Sequence, residues 1–323
     1  MSGIGAIVNP IRKRLRMSHT QFGDLSDTVK ATLGAQCCCD LCGCEEMDLV
    51  VDRIFPDQQR LVRCRHCGLV RLTGGGAVSH DYWQEDICGL DVYTNPTYRE
   101  EAERRYEKYL ETITRLAGDR GLLLDAGCGP GNFLRFARNC GWEVRGVEIS
   151  EKAASRAKDF GLEVETAQIE NTHWPDDAFD VITMWDLVEH LESPRRAVDV
   201  IHRKLRAGGL LFLETPDDDF WIRRVLLAVY RMSSGCFDLT RYFYFPDHRY
   251  YFTAKTITTL LTQAGFQIIS VAWDLTPISK LRLKISPWRY PLKRLVLGAL
   301  PLLLKILRRL DIGNKLIVLA RKP

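Results

Sequence analysis

The chain has 323 residues, 46% hydrophobic and 27% charged, which suits a folded protein and argues against disorder or a low-complexity repeat. That length exceeds an average single domain, so a full catalytic domain with a smaller appendage is expected. The net charge of +4 is unevenly spread: residues 280–323 hold twelve lysines or arginines against one acid, Asp311, which leaves a mildly acidic body ill suited to wholesale nucleic-acid binding.

Residues 1–36 are basic and polar with weak periodicity and read as a loosely ordered lead-in. They contain no apolar segment followed by a small-residue cleavage site, so a reducing, cytoplasmic setting is expected for the eleven cysteines. The longest apolar stretch, residues 295–304, is interrupted by Gly298 and Pro301. It is about half of the ~20 residues that cross a bilayer, so no membrane span is expected.

Residues 37–76 form a cysteine-rich unit. Cys39-Asp40-Leu41-Cys42-Gly43 and Cys64-Arg65-His66-Cys67-Gly68 are two C-x2-C-G turns with 21 residues between them. Each turn can present two thiolates to one tetrahedral Zn²⁺, and the glycine after it permits a tight bend. Four thiolates leave no open coordination position, so Cys39, Cys42, Cys64 and Cys67 are expected to build a structural zinc site. Cys37, Cys38, Cys44 and His66 lie close enough in sequence to exchange into it, which leaves the ligand set open by one member. Two β-like runs, 48–54 and 60–63, accompany the cysteines, and Gly74-Gly75-Gly76 ends the unit.

From 95 to 117, Tyr98, Ala102, Tyr106, Tyr109, Leu110, Ile113 and Leu116 recur at helical spacing. Strand-like and helix-like segments then alternate, with strands at 122–126, 143–149, 163–167, 179–184 and 210–214 and helices from Asn132, from Glu151 and over 194–205. The alternation predicts an α/β domain over 95–279: a doubly wound, mostly parallel seven-stranded sheet with helices on both faces, completed by strands near 266–273 and 315–320.

In Leu122-Leu123-Leu124-Asp125-Ala126-Gly127-Cys128-Gly129-Pro130-Gly131-Asn132 a buried strand runs into glycines and then a helix. Glycines let the backbone approach a ligand closely, and the carboxyl end of a parallel strand is where open α/β sheets bind nucleotides. Glu148 ends the next strand, where a carboxylate can accept both hydroxyls of a ribose. The loop alone fits a dinucleotide site equally well.

The segments LLLDAGCGPGNFL, GVEIS, HWPDDAFDVITMWDLVEHL, RAGGLLFLETPD and HRYYFTAKTITTLLTQAGF follow one another over roughly 122–266. In that order they resemble the motifs of class I S-adenosylmethionine-dependent methyltransferases, especially the group that includes the ubiquinone-biosynthesis O-methyltransferases. The resemblance implies S-adenosylmethionine as cofactor. Asp125 would orient the loop, Gly127, Cys128 and Gly129 would lie against methionine and ribose, and Glu148 with Ile149 would hold the ribose. Gln168 and Ile169 would meet the adenine and Trp185 would close the fourth strand. Where the family commonly has an acid for the adenine amine, this chain has Gln168, whose amide oxygen can accept the same bond.

On the acceptor side, His190 is the first candidate base, with Glu189 or Asp186 to orient it, and His248 the second. Each also fits a histidine that is merely packed. Residues 217–252 read as an aromatic-rich insert over the acceptor. Residues 287–310 are basic and leucine-rich with Trp288 and Tyr290, a composition that suits peripheral contact with the inner face of an anionic membrane as well as a helix pair covering the sheet. The expected reaction is methyl transfer to oxygen or carbon of a small-molecule, sugar or lipid-linked acceptor. The alternatives are an inactive cofactor-binding scaffold and an RNA methyltransferase gripping through the zinc unit and the basic tail. The acidic body speaks against the latter.

Overall fold

The computed structural model describes residues 38–54, 59–74, 96–233, 244–245, 247–276 and 313–323, which fall within one compact unit. The lead-in 1–36 and the basic apolar segment 287–310 lie outside them. In chain order the elements are β1 (Met47–Ile54), β2 (Gln59–Cys64), β3 (Val70–Thr73), α1 (Pro96–Ala117), β4 (Leu122–Ala126), α2 (Asn132–Asn139), β5 (Glu143–Glu148), α3 (Glu151–Asp159), β6 (Val164–Thr166), β7 (Phe179–Trp185), α4 (Pro194–Lys204), β8 (Leu205–Pro216), α5 (Trp221–Met232), β9 (Tyr250–Tyr251), α6 (Ala254–Gln263), β10 (Gln267–Asp274) and β11 (Lys315–Arg321).

Seven strands form one sheet in the order β10-β11-β8-β7-β4-β5-β6. The pairs from β6 to β8 are parallel, whereas β11 runs antiparallel to both β8 and β10. Strands β4 and β7 are near-continuous apolar runs because helices cover both faces. Helix starts are fixed by side chains: Ser150 caps α3, Ser193 caps α4 with Pro194 just inside, and Thr253 and Thr256 form a reciprocal capping box on α6. The parallel strands therefore present their carboxyl ends, and the turns that follow, along one sheet edge.

The core beneath that edge is aromatic. Phe212 of β8 lies 5.2 Å from the ring of Tyr109 on α1 and 4.4 Å from Trp185 of β7, and Trp185 also meets Phe133 of α2 at 5.0 Å. Helix α1 thus docks on the sheet through the face its spacing predicted.

A second, antiparallel sheet has the order β1-β2-β3-β9. Its fourth strand comes from far along the chain, after β8 of the larger sheet, since Val70 and Arg71 of β3 pair with Tyr251 and Tyr250. Val51, Ile54, Leu61, Val70, Leu227 and Tyr251 form the apolar cluster under it, so α5 and β9 are built into the cysteine-rich region. Among the described residues no helix is long and apolar enough to cross a membrane.

Phe212 is fully buried in the aromatic cluster, so Phe212→Ala should cost about 3–5 kcal/mol of stability through lost transfer energy and a cavity. Urea unfolding of both proteins checks this, and a loss under about 1 kcal/mol would show that the cluster does not anchor α1.

Candidate active site

Strand β4 ends in buried Asp125 and Ala126, and the chain then turns through Gly127, Gly129 and Gly131 with φ of 70°, 53° and 81°. L side chains rarely adopt this left-handed region, so the three glycines are a backbone requirement. A Cβ on Gly127 would also come within 2.8 Å of Leu187, whereas one on Gly129 would meet nothing within 4 Å. The turn is therefore closed at Gly127 and open at Gly129. The Gly127 and Cys128 amides donate to the Val147 carbonyl at 2.8 and 3.0 Å, pinning the turn to β5. The Cys128 thiol packs inward, where a Cβ on Gly146 would touch it at 2.7 Å.

Glu148 completes this region. Its two carboxylate oxygens accept separately, from Gly129 N–H at 2.9 Å and Ser150 N–H at 2.8 Å. Burial raises its pKa, and those amides, with that of Ile149, pull it back down. A carboxylate has about four lone-pair positions, so accepting capacity remains for a hydroxyl donor from a ligand. Gln168 is exposed and opens the 3₁₀ turn Ile169–Asn171, with Ile169 buried beneath it. Ala167 N–H donates to the Glu148 carbonyl at 3.1 Å, which holds this turn beside the same acid.

Asp125 lies under the turn and accepts from Thr183 Oγ1 on β7 at 2.6 Å. Thr183 is a partner that the sequence reading did not identify, although the strand register places it directly opposite.

At the neighbouring strand ends, Trp185 sits in the aromatic cluster with its Nε1–H buried and without a hydrogen-bond acceptor among the described residues. Asp186, with φ 49°, pairs with Lys315 of β11, which also lies 3.8 Å from Glu214. Arg105 of α1 pairs with Glu214 and lies 3.8 Å from Asp274, which accepts from Tyr109 Oη at 2.6 Å. This buried ionic network was not predicted either, because its members are scattered over α1, β8, β10 and β11. The only local signal was an arginine beside Tyr106 on an otherwise apolar helix face.

Glu189, fully buried, accepts from Thr215 Oγ1 at 2.9 Å, and burial with the nearby Asp186 charge pushes its pKa up to about 7. His190 follows it. Its Nδ1–H donates to the Asp247 carbonyl at 2.7 Å, which leaves Nε2 as the basic nitrogen of the neutral ring. The His248 ring stands perpendicular to that of His190 at 4.6 Å. Burial and the His190 charge push His248 well below the usual histidine range, so it is neutral at pH 7. The two histidines, far apart in sequence, are thus neighbours beside Glu189.

The four cysteines of the two C-x2-C turns also converge. All four sulfurs lie within 4.8 Å of one another, with Cys39 to Cys67 and Cys42 to Cys64 at 3.5 Å. Bonds of about 2.3 Å to a tetrahedral zinc would place sulfurs ~3.8 Å apart, so the donor set fits such an ion. Gly43 and Gly68 take φ of 71° and 83°, and their amides donate back to the Cys39 and Cys64 carbonyls. Cys38 and Cys44 lie outside the quartet, engaged with Glu45 and with the backbone of Glu46.

Asp125 gives a pH test of the buried site. Burial raises its pKa from 3.8 to about 8. A folded value above the unfolded one means that folding takes up a proton, so this contribution to stability is complete below the unfolded value and is lost as pH rises through the folded one. Asp125→Asn should flatten the decline in stability between about pH 5 and about pH 8, measured as melting temperature. Parallel curves for the two proteins would exclude Asp125 as its source.

Comparison with known proteins gives the same architecture a family. The profile described as "Methyltransferase domain" matches residues 98–271. The 27-O-demethylrifamycin SV methyltransferase of Amycolatopsis mediterranei is 30% identical over 148 residues, 43% of this chain and 51% of that protein. The ubiquinone biosynthesis O-methyltransferase of Thiobacillus denitrificans is 30% identical over 116 residues, 33% of this chain and 49% of that protein. The chain thus spans about half the length of these curated relatives. A solved S-adenosylmethionine-dependent methyltransferase from Archaeoglobus fulgidus has a TM-score of 0.48 and 19% identity, covering 73% of this chain and 100% of that one. Because the matching profile takes in more than half of the residues, the chain belongs to the methyltransferase-domain family, of the class I, S-adenosylmethionine-dependent kind.

Proposed function

We propose that the protein transfers the methyl group of S-adenosylmethionine to an oxygen or carbon of a small-molecule, sugar or lipid-linked acceptor. The observation that carries this reading is Glu148, gripped by two backbone amides beside the open flank of Gly129. Its remaining accepting capacity suits a ribose hydroxyl. Gly127, Cys128 and Gly129 contribute backbone to the same cleft, Asp125 holds the turn from below, and Ile149, Gln168 and Ile169 continue it toward the adenine. Trp185 walls the side nearest the acceptor.

S-adenosylmethionine supplies an electrophilic methyl on a sulfonium centre. The chain's own task is then to position the acceptor and, for a hydroxyl, to take its proton. His190 Nε2 is the group for that proton: its tautomer is fixed by the Asp247 carbonyl, and buried Glu189 stabilises the imidazolium that forms. His248, held neutral beside it, limits the site to one positive charge. Helix α5 carries three arginines and no acid and exposes Trp221, Val225, Val229 and Met232, which favours the lipid-linked end of the acceptor range. Cys39, Cys42, Cys64 and Cys67 hold a structural Zn²⁺, whose four thiolates leave no position for a reacting group.

Transfer of a radiolabelled methyl group to panels of soluble and lipid-linked hydroxyl acceptors tests the reading. His190→Ala should lower turnover by about 10²- to 10⁴-fold while leaving the KM for S-adenosylmethionine within about threefold. A change in turnover below about threefold would remove the base from the account. Cofactor binding with no transfer to any acceptor would point to a scaffold.

A further inference from the structure

The cysteine unit and the histidine pair are joined by a chain of contacts that neither reading requires. Asp40 lies inside the first C-x2-C turn, between Cys39 and Cys42. Its carboxylate accepts from Ser193 Oγ at 2.7 Å and from Arg195 N–H at 2.9 Å, in the first turn of α4. An anion is favoured there by the unpaired amides and the helix dipole. Arg195 reaches back to the Leu41 carbonyl at 3.3 Å, and the Leu41 side chain is buried. The first cysteine turn is therefore fastened to the segment that begins at Glu189 and His190.

The second fastening runs through β3, which begins three residues after Cys67. Leu72 N–H donates to the Arg249 carbonyl at 2.9 Å, and β3 pairs with β9 immediately after His248. On its other side the same short segment is tied to the first: Arg249 and Tyr250 N–H both donate to the Glu189 carbonyl, at 2.8 and 3.0 Å, and Tyr250 Oη donates to the Glu192 carbonyl at 3.1 Å. A two-residue strand has too few bonds to hold its own register, so the position of β9 depends on these neighbours.

We infer that the metal-bound cysteine unit is a clamp that sets the alignment of His190 with His248, with Asp40 as its positioning residue on one arm and β3 on the other. The inference rests on the proposed zinc site and deepens the proposed role of the histidines. Both cysteine turns meet at one ion, and each carries one of the two arms, so the ion fixes their separation. When it is lost, the arms separate and the 2.7 Å bond that sets the His190 tautomer is released. The glycine turn is tied to β5 and, among the described residues, makes no hydrogen bond to either arm. Cofactor binding should therefore survive.

Hydrogen exchange of the full chain, with metal analysis of the same samples, tests this without an acceptor. The zinc-loaded protein, the protein stripped by a chelator, and zinc-loaded Asp40→Ala and Asp40→Asn are compared. The expected result is one zinc per chain in wild type and in both variants. In the stripped protein and in Asp40→Ala, exchange at Leu72, Arg249 and Tyr250 rises by about tenfold or more, while Gly127 and Cys128 stay protected. Nitrogen-15 spectra of the His190 ring should show the Nδ1–H tautomer in wild type, its loss in Asp40→Ala, and partial recovery in Asp40→Asn, which keeps one accepting oxygen. A chain that binds no zinc overturns the metal reading and the clamp together. A chain that binds zinc, but whose histidine spectra and exchange at those amides stay unchanged on stripping and in Asp40→Ala, overturns the clamp alone.

Discussion

One carboxylate ties the carboxyl-terminal edge of the parallel strands together. Glu148 bonds the amide of Gly129, in the turn after the first parallel strand, and the amide of Ser150, at the start of the helix after the second. Those two turns belong to adjacent strands, and a shared acid fixes their spacing more tightly than strand pairing alone. The glycines of the turn have no side chains with which to hold it, so its backbone is pinned by the Val147 carbonyl and by Glu148. Gly129 is held through its amide by the acid and has an open flank where a Cβ would sit.

The acids below that edge come at an energetic cost. Asp125 and Glu189 are both enclosed, and burial raises both well above the usual carboxylate range. Threonines on neighbouring strands, Thr183 and Thr215, give each acid one hydrogen bond. A single hydroxyl donor compensates only part of the desolvation of a carboxylate. Carboxyl groups kept this far from water contribute orientation and proton chemistry more than stability.

Much of the sheet was legible because its signals are local. The apolar runs of β4 and β7, the glycines after β4 and the acid ending β5 are each contained within a few residues. The paired C-x2-C turns were legible for the same reason, since the spacing itself encodes the tetrahedral donor set. Strand β8 begins at Leu205 rather than near Leu210: Leu205 pairs with Phe179, the register then shifts, and pairing with β7 resumes at Leu210, so the turn-like Arg206-Ala207-Gly208-Gly209 sits in the strand as an irregularity. What stayed hidden depends on partners distant in sequence. Tyr250–Tyr251 pairs with β3, a partner from far up the chain that no local signal identifies. Asp40 finds its partners only on α4, and Arg105, Glu214 and Lys315 meet only after the sheet has formed.

The central claim is that the edge built around Glu148 holds S-adenosylmethionine. Its most direct test is calorimetric titration of wild type and Glu148→Ala with S-adenosylmethionine and S-adenosylhomocysteine, each protein first shown to be folded by its unfolding curve. The account predicts wild-type binding in about the micromolar range and its loss in Glu148→Ala. Folded wild-type protein that binds neither compound, or a folded variant that binds both as tightly as wild type, would contradict it.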